Sequence, residues 1–242
     1  MSQPLTDKRA VVTGASKGIG FAIAQALLSA GVDLVICGRE AKQLKAAVNR
    51  LKEAASGRKV HGHVADVSNS AEVARLFQVA DEKLGGLDIL INNAGFGIFR
   101  ATAELSVQEW DRLIGVNLSG AFYCSREALE RFHRAGGGWI INMSSLAGRN
   151  PFAGGAGYNA SKFGLNGFSE AMMMDHRYDK VRVSYIMPGS VDTQFGGAQS
   201  STKSDWKVAP EDIAQIVLDV LKMPGRTLIS RVEVRPSRPP KN

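Results

Sequence analysis

Arg9-Ala10-Val11-Val12-Thr13-Gly14-Ala15-Ser16-Lys17-Gly18-Ile19-Gly20 (RAVVTGASKGIG) is the stretch that decides the fold. Arg9–Thr13 is a β-branched, apolar run of strand length. It passes directly into a turn whose three glycines are spaced G-x3-G-x-G. Phe21–Ala30 then has helical spacing and stops at Gly31. A strand turning tightly into a helix leaves free N–H groups and the positive end of the helix dipole at the turn. Glycines there let a diphosphate approach the backbone. The spacing differs from the G-x-G-x-x-G fingerprint, so an ordinary glycine-rich turn stands beside a nucleotide site as an explanation. Gly14, Ser16, Lys17, Gly18, Ile19 and Gly20 are the candidate contacts.

Working outward, the same strand-then-helix unit recurs almost from end to end. Asp33–Gly38, Lys59–Val64, Leu87–Asn92, Trp139–Met143, Val181–Ile186 and Thr227–Val234 read as further strands. Between them lie helical stretches at about Ala41–Ala55, Ser70–Leu84, Val107–Arg134, Tyr158–Tyr178 and Glu211–Leu221. Strands that are apolar on both faces and alternate with helices predict a doubly wound, Rossmann-like α/β domain with a parallel sheet of about seven strands. The 242 residues suit one such domain, 1–242, with no linker or repeat. Ligands of such sheets bind beyond the carboxyl ends of the strands, so functional residues should directly follow strands.

The second strand selects the cofactor. An NAD site places an acid at its end to accept from the ribose 2′-OH, whereas here Cys37-Gly38-Arg39 precede the first acid, Glu40. Arg39 and Lys17 can clamp a 2′-phosphate, or both are solvated surface cations. A phosphate explains the cations and the missing acid together, so the sequence predicts NADPH. Asp66-Val67 follow the third strand; Asp66 is either an adenine contact or a helix cap.

Bulk properties narrow the classes further. Net charge is +7, but the cations are scattered, and the densest group (Arg231, Arg235, Arg238, Lys241) reads as a solvated tail with no base-reading motif beside it. No nucleic-acid partner is expected. The short polar N-terminus and the absence of any long apolar run predict no membrane partner and a cytoplasmic protein. Cys37 and Cys124 read as buried, unpaired thiols of a reducing compartment.

Tyr158-Asn159-Ala160-Ser161-Lys162 puts Tyr158 and Lys162 at i and i+4 on one helix face. A phenol of pKa about 10 is a poor base at neutral pH. An ammonium about 4 Å away contributes up to about 4 kcal/mol at an effective dielectric of 20, enough to bring the phenol into working range. Other polar clusters also fall just after strands: Asn93-Ala94-Gly95, Ser144-Ser145 and Pro188-Gly189-Ser190-Val191-Asp192-Thr193, with Asn117 in the helix after the fourth strand.

These pieces together (TGASKGIG at 13–20, DV at 66–67, NNAG at 92–95, Asn117, SS at 144–145, YNASK at 158–162 and PGSVDT at 188–193) resemble the short-chain dehydrogenase/reductase family over essentially the whole chain. The resemblance implies that Tyr158 exchanges a proton with the substrate oxygen in carbonyl reduction or alcohol oxidation. It implies that Lys162 lowers the pKa of Tyr158 and bonds the nicotinamide ribose, and that Ser145 rather than Ser144 holds the substrate oxygen. Asn117 would hold a relay water. Asn93, Ala94, Gly95, Pro188 and Gly189 would line the cofactor, with Val191 and Thr193 touching its carboxamide end. A small carbonyl or alcohol substrate and a homotetramer or homodimer follow from the same resemblance. The ending ISRVEVRPSRPPKN departs from the glycine-rich ending of the family's acyl-carrier-protein reductases and points away from fatty-acid synthesis.

Asp192–Val208 reads as a substrate lid. His61 and His63 share a strand face but lack a third metal ligand at plausible spacing. Met172-Met173-Met174 reads as core or subunit interface. A serine hydrolase on Ser145 lacks its elbow and its histidine base. The alternative to an enzyme is a catalytically quiet NADP(H) sensor or scaffold on the same fold. The intact Ser145, Tyr158, Lys162 and Asn117 favour the enzyme.

Overall fold

The alternation resolves, in a computed structural model, into a parallel sheet of seven strands ordered β3-β2-β1-β4-β5-β6-β7. The structure describes residues 3–55, 57–193, 195 and 205–240. The strands are β1 Arg9–Val12, β2 Asp33–Gly38, β3 Val60–Val64, β4 Ile89–Asn92, β5 Gly138–Met143, β6 Val181–Pro188 and β7 Arg231–Val234. The α-helices are α1 Gly18–Ser29, α2 Ala41–Glu53, α3 Ser70–Leu84, α4 Val107–Ile114, α5 Gly120–Ala135, α6 Ala156–His176 and α7 Pro210–Leu221.

Strand alternation divides the interior into two layers. Ala10 and Val12, Leu34 and Ile36, Ile89 and Ile91 face α1, α2 and α7, where Leu27, Leu44 and Val217 meet them. Val11, Val35, Leu90 and Ile140 face the other way, toward Leu76 of α3, Phe132 of α5 and Met172 of α6. The inner strands are therefore buried on both faces along most of their length, the signature of a sheet covered on both sides, while the edge strands β3 (VHGHV) and β7 (RVEV) are only partly buried. β1 pairs with β2 on one side and β4 on the other. Chain order reverses there, so the crevice beyond β1 and β4 is the switch point at which such sheets hold ligands.

The long helix expected over Val107–Arg134 is three pieces. α4 starts at a reciprocal cap, in which Ser106 Oγ accepts from the Glu109 N–H and Glu109 returns a bond to the Ser106 N–H. A π-helical segment, Gly115–Ser119, then separates it from α5. Such single-turn bulges insert a residue into the ladder and mark functional positions; this one holds Asn117. The last strand is shorter than expected, but Thr227–Ser230 still run beside β6: Ile229 O accepts from Ser184 Oγ at 2.7 Å and Ser230 O from the Tyr185 N–H at 3.0 Å.

Part of the supposed solvated tail is thus sheet. Arg231 pairs with Glu170 and Arg235 with Glu233, while Lys241 lies outside the described residues, as does most of the expected lid. Cys37 and Cys124 are buried and unpaired, and burial pushes the Cys37 thiol up to about 12. No helix among the described residues is long and apolar enough to cross a membrane.

Candidate active site

A cavity of about 830 Å³ opens at the switch point. Its walls include Gly14, Ser16, Lys17, Gly18, Ile19, Arg39, Asp66, Val67, Asn93, Ala94, Gly95, Ser145, Tyr158, Lys162, Pro188, Gly189, Val191 and Thr193. Of the residues singled out in the sequence, Gly20 and Asn117 are not on the wall. Both stand behind it, for packing reasons given below.

The glycine turn is built from the strand side. Thr13 Oγ1 accepts from the Asn93 and Ala94 N–H groups at 3.0 Å, and Asn93 Nδ2 donates to Thr13 O and Gly14 O at 3.0 Å each. The loop after β4 thereby grips the loop after β1. Gly14 has φ +63°, and a Cβ there would stand 2.7 Å from the Ala94 Cα, so this position requires glycine. A Cβ on Gly20 would lie 2.4 Å from Asn93 Nδ2. Gly20 therefore makes room for the clamp. Helix α1 begins after Lys17 with no side chain capping it, so its first N–H groups are left to whatever enters the cavity.

At the far end of the turn Arg39 and Lys17 reach the wall. Arg39 Nη1 is 4.0 Å from Asp66 Oδ2 and nearly half exposed. Burial opposes ionisation of Asp66, but two hydrogen bonds from Ser68 and the charges of Arg39 and Arg112 outweigh it and hold the carboxyl below its ordinary range. Asp66 is not a helix cap. It closes its own turn onto Ser68, and Asn69 caps α3 by accepting from the Ala71 and Glu72 N–H groups.

Tyr158 and Lys162 lie on the buried face of α6, whose first residue is Ala156. Burial raises the Tyr158 phenol, and the hydrogen bond with Ser145 only partly offsets that. The expected lowering by Lys162 is absent for a structural reason. Lys162 Nζ donates to Met143 O at 2.8 Å and lies 5.9 Å from the Tyr158 ring centre, and desolvation brings its own pKa down to about 8. The choice between the serines is clear in the geometry. Ser144 Oγ is committed to Asn166 Oδ1 at 2.5 Å, whereas Ser145 Oγ meets the phenol, accepts from the Ala147 N–H at 3.1 Å and makes only a long contact, 3.5 Å, with Pro188 O.

Asn117 is buried behind Gly95. Its Nδ2 donates to Phe96 O at 2.9 Å and Ser161 Oγ at 3.0 Å, and its Oδ1 accepts from the Phe96 N–H at 3.0 Å. Both amide hydrogens are used, so its side chain fixes the loop after β4 against α6 rather than reaching the cavity. Gly95 is bare where a Cβ would stand 3.2 Å from Asn117 Oδ1 and 3.6 Å from Lys162 Nζ.

Sequence reasoning missed the ring contacts of Tyr158 with Phe99 and Phe195; Ser190, from the cluster after β6, and Phe195 and Lys207, from the expected lid, stand on the wall without having been assigned a role. It also missed that His133, His176 and Asp179 lie together, Asp179 Oδ2 being 3.5 Å and 2.9 Å from the two rings. His61 and His63 find no third ligand among the described residues.

Fold and site together define a doubly wound α/β protein with a buried tyrosine–lysine–serine set at a nucleotide-sized crevice. Residues 8–204 match the model of the short chain dehydrogenase family. An uncharacterised oxidoreductase of Staphylococcus aureus (strain USA300) is 35% identical over 232 residues, covering 96% of this chain and 98% of that one. A metagenomic short-chain oxidoreductase solved in complex with NADP is 38% identical, with a TM-score of 0.84 over 98% of this chain and 100% of the other. An alcohol dehydrogenase from Thermococcus sibiricus, complexed with 5-hydroxy-NADP, superimposes with a TM-score of 0.89 at 30% identity, covering 97% and 99%. The chain belongs to the short-chain dehydrogenase/reductase family of oxidoreductases.

Proposed function

We propose that the protein is an NADPH-dependent carbonyl reductase, working in reverse as an alcohol dehydrogenase, with Tyr158 as the group that exchanges the proton. The observation that carries this is the buried Tyr158 phenol bonded to Ser145, with Lys162 one helical turn away, at the wall of the switch-point cavity. NADP(H) fits the rest of that cavity. The uncapped start of α1 suits a diphosphate, the bare Gly14 admits it, and Lys17 and Arg39 suit a 2′-phosphate: Arg39, not an acid, directly follows β2, although Glu40 and Asp66 also line the wall there. The NADP in two solved relatives supports the same choice. Ser190 and the predicted Val191 and Thr193 would flank the carboxamide end.

When bound, NADPH supplies the hydride. With that hydride delivered to the carbonyl carbon, Tyr158 would give its proton to the carbonyl oxygen, so that the product would be the alcohol. Ser145 donates to the same oxygen as negative charge grows there, an interaction strongest in the transition state. Burial keeps the phenol protonated at neutral pH, which readies it for reduction. Lys162, buried and donating to Met143 O, would hold the nicotinamide ribose and return a proton to Tyr158. Because both Asn117 amide hydrogens are engaged, a water feeding Lys162 would have to be held by the Asn117 main chain.

The two unpaired, buried cysteines suit a reducing cytoplasm. The assembly we expect is a homodimer or homotetramer.

The test is loss of NADPH absorbance with a panel of ketones and aldehydes. Wild type should turn over at least one, and Tyr158→Phe should lower kcat/KM by roughly 10²–10⁴-fold while NADPH still binds. NADPH binding without turnover of any carbonyl or alcohol would support the quiet sensor instead.

A further inference from the structure

We propose that Phe99, Phe152 and Phe195 form an aromatic subsite over Tyr158, and that the substrate is an aromatic ketone or aldehyde whose ring this subsite holds. The proposal rests on the reductase reading above and names its substrate class.

Three separate segments bring these rings together. Phe99 follows β4, Phe152 precedes α6 and Phe195 follows β6, so all three come from the carboxyl edge of the sheet. Phe99 meets the Tyr158 ring edge-on at 5.5 Å and 80°, and Phe195 meets it at 5.8 Å and 57°. Phe152 continues the wall outward, 5.8 Å from Phe99 at 52°. These are the separations and tilts that aromatic pairs adopt. Gly97 makes the convergence possible: a Cβ there would lie 2.7 Å from Phe99 Cζ and 3.0 Å from Phe195 Cε1, so both rings close on the same bare backbone.

The rings are nevertheless 50%, 47% and 40% exposed. Phe195 lines the cavity beside Tyr158, Phe99 packs on the Tyr158 ring and Phe152 on Phe99; large apolar side chains gathered beside a cavity and left in water mark a binding surface rather than core. The guanidinium beside Phe99, Arg100, is paired to Glu109, and that of Arg149 to Glu233. Recognition on this wall therefore falls to ring faces and edges. A planar aryl group conjugated to the carbonyl would slot among the phenylalanines and leave its oxygen at Ser145 and Tyr158. A saturated ring of the same size would bury similar area but lacks the quadrupole that rewards edge-to-face contact.

The experiment compares acetophenone with cyclohexyl methyl ketone, which share a carbon skeleton, in wild type, Phe99→Leu, Phe152→Leu and, as a control remote from the cavity, Phe122→Leu. Leucine keeps the site apolar and the fold intact. We expect wild type to show a KM for acetophenone at least about threefold lower than for the saturated ketone, a difference that Phe99→Leu and Phe152→Leu abolish and Phe122→Leu retains. Ligand-observed NMR of acetophenone on the NADP+ complex, where no hydride is available, should give the same order of affinities. Equal KM values in wild type, or a preference that survives both cavity variants, would overturn the subsite while leaving the reductase standing. Turnover of neither ketone would count against the reductase reading, and the NMR affinities would still decide whether the phenylalanines select an aromatic ring.

Discussion

At the residue scale, the site is governed by what burial does to two side chains. Tyr158 is held above its ordinary range and Lys162 is brought down to about 8, each chiefly by desolvation. The unfolded chain keeps the Lys162 proton up to about pH 10.4, whereas the folded, cofactor-free enzyme sheds it near 8. Between those limits the unfolded state binds more protons, so this residue makes stability rise with pH. Below pH 8 the buried charge costs its full amount, on the order of 3 kcal/mol at 1.36 kcal/mol per unit. Lys162→Met should remove that dependence. In urea titrations the stability of wild type relative to the variant should be lowest and flat below pH 8, then climb toward pH 10. A difference that stays constant across that range would contradict the buried, destabilised ammonium. Loss of the bond to Met143 O adds an offset, but one without pH dependence.

At the element scale, the π-helical turn at Gly115–Ser119 places Asn117 so that it satisfies both the N–H and C=O of Phe96 and reaches Ser161 on α6. Asn117→Ala strands those buried partners and should cost about 1–3 kcal/mol in urea unfolding, beyond any effect on turnover. An unfolding midpoint equal to wild type would show that the turn stands without the clamp. The turn also shows where sequence reading stops. Strands such as Val11–Val12 and Leu90–Ile91 were legible because every position is apolar, and α1 because glycines flank it. The wall of the cavity was legible because each polar cluster follows a strand. The break at 115–119 was not: GVNLS is poor in helix formers but gives no sign of a π-turn, which is fixed by bonds to Phe96 and Ser161, 21 and 44 residues away. The packing role of Gly20 was hidden for a similar reason. A glycine needed for Asn93 looks, in sequence, the same as one needed for a phosphate. The Phe99, Phe152 and Phe195 cluster and the His133, His176 and Asp179 group are products of topology, which no local pattern records.

At the scale of the whole molecule, two surfaces await partners. α5 and α6 lie side by side, with Phe122 against Phe168, and expose Phe122, Phe163 and Met174. Apolar side chains on neighbouring helices that the monomer leaves in water are expected to be covered by a second copy of the chain. Light scattering on the purified protein should give a dimer or tetramer mass, and a monomer at micromolar concentration would contradict that assembly. The other surface is the crevice at the switch point, where the sheet order, the uncapped start of α1 and the cations Lys17 and Arg39 all converge. The most direct test of the central claim is fluorescence titration of the protein with NADPH and with NADH. NADPH should bind at least about tenfold tighter, a gap of about 1.4 kcal/mol or more. Equal affinities, or tighter NADH, would contradict the phosphate clamp of Arg39 and Lys17, and binding of neither would contradict the enzyme itself.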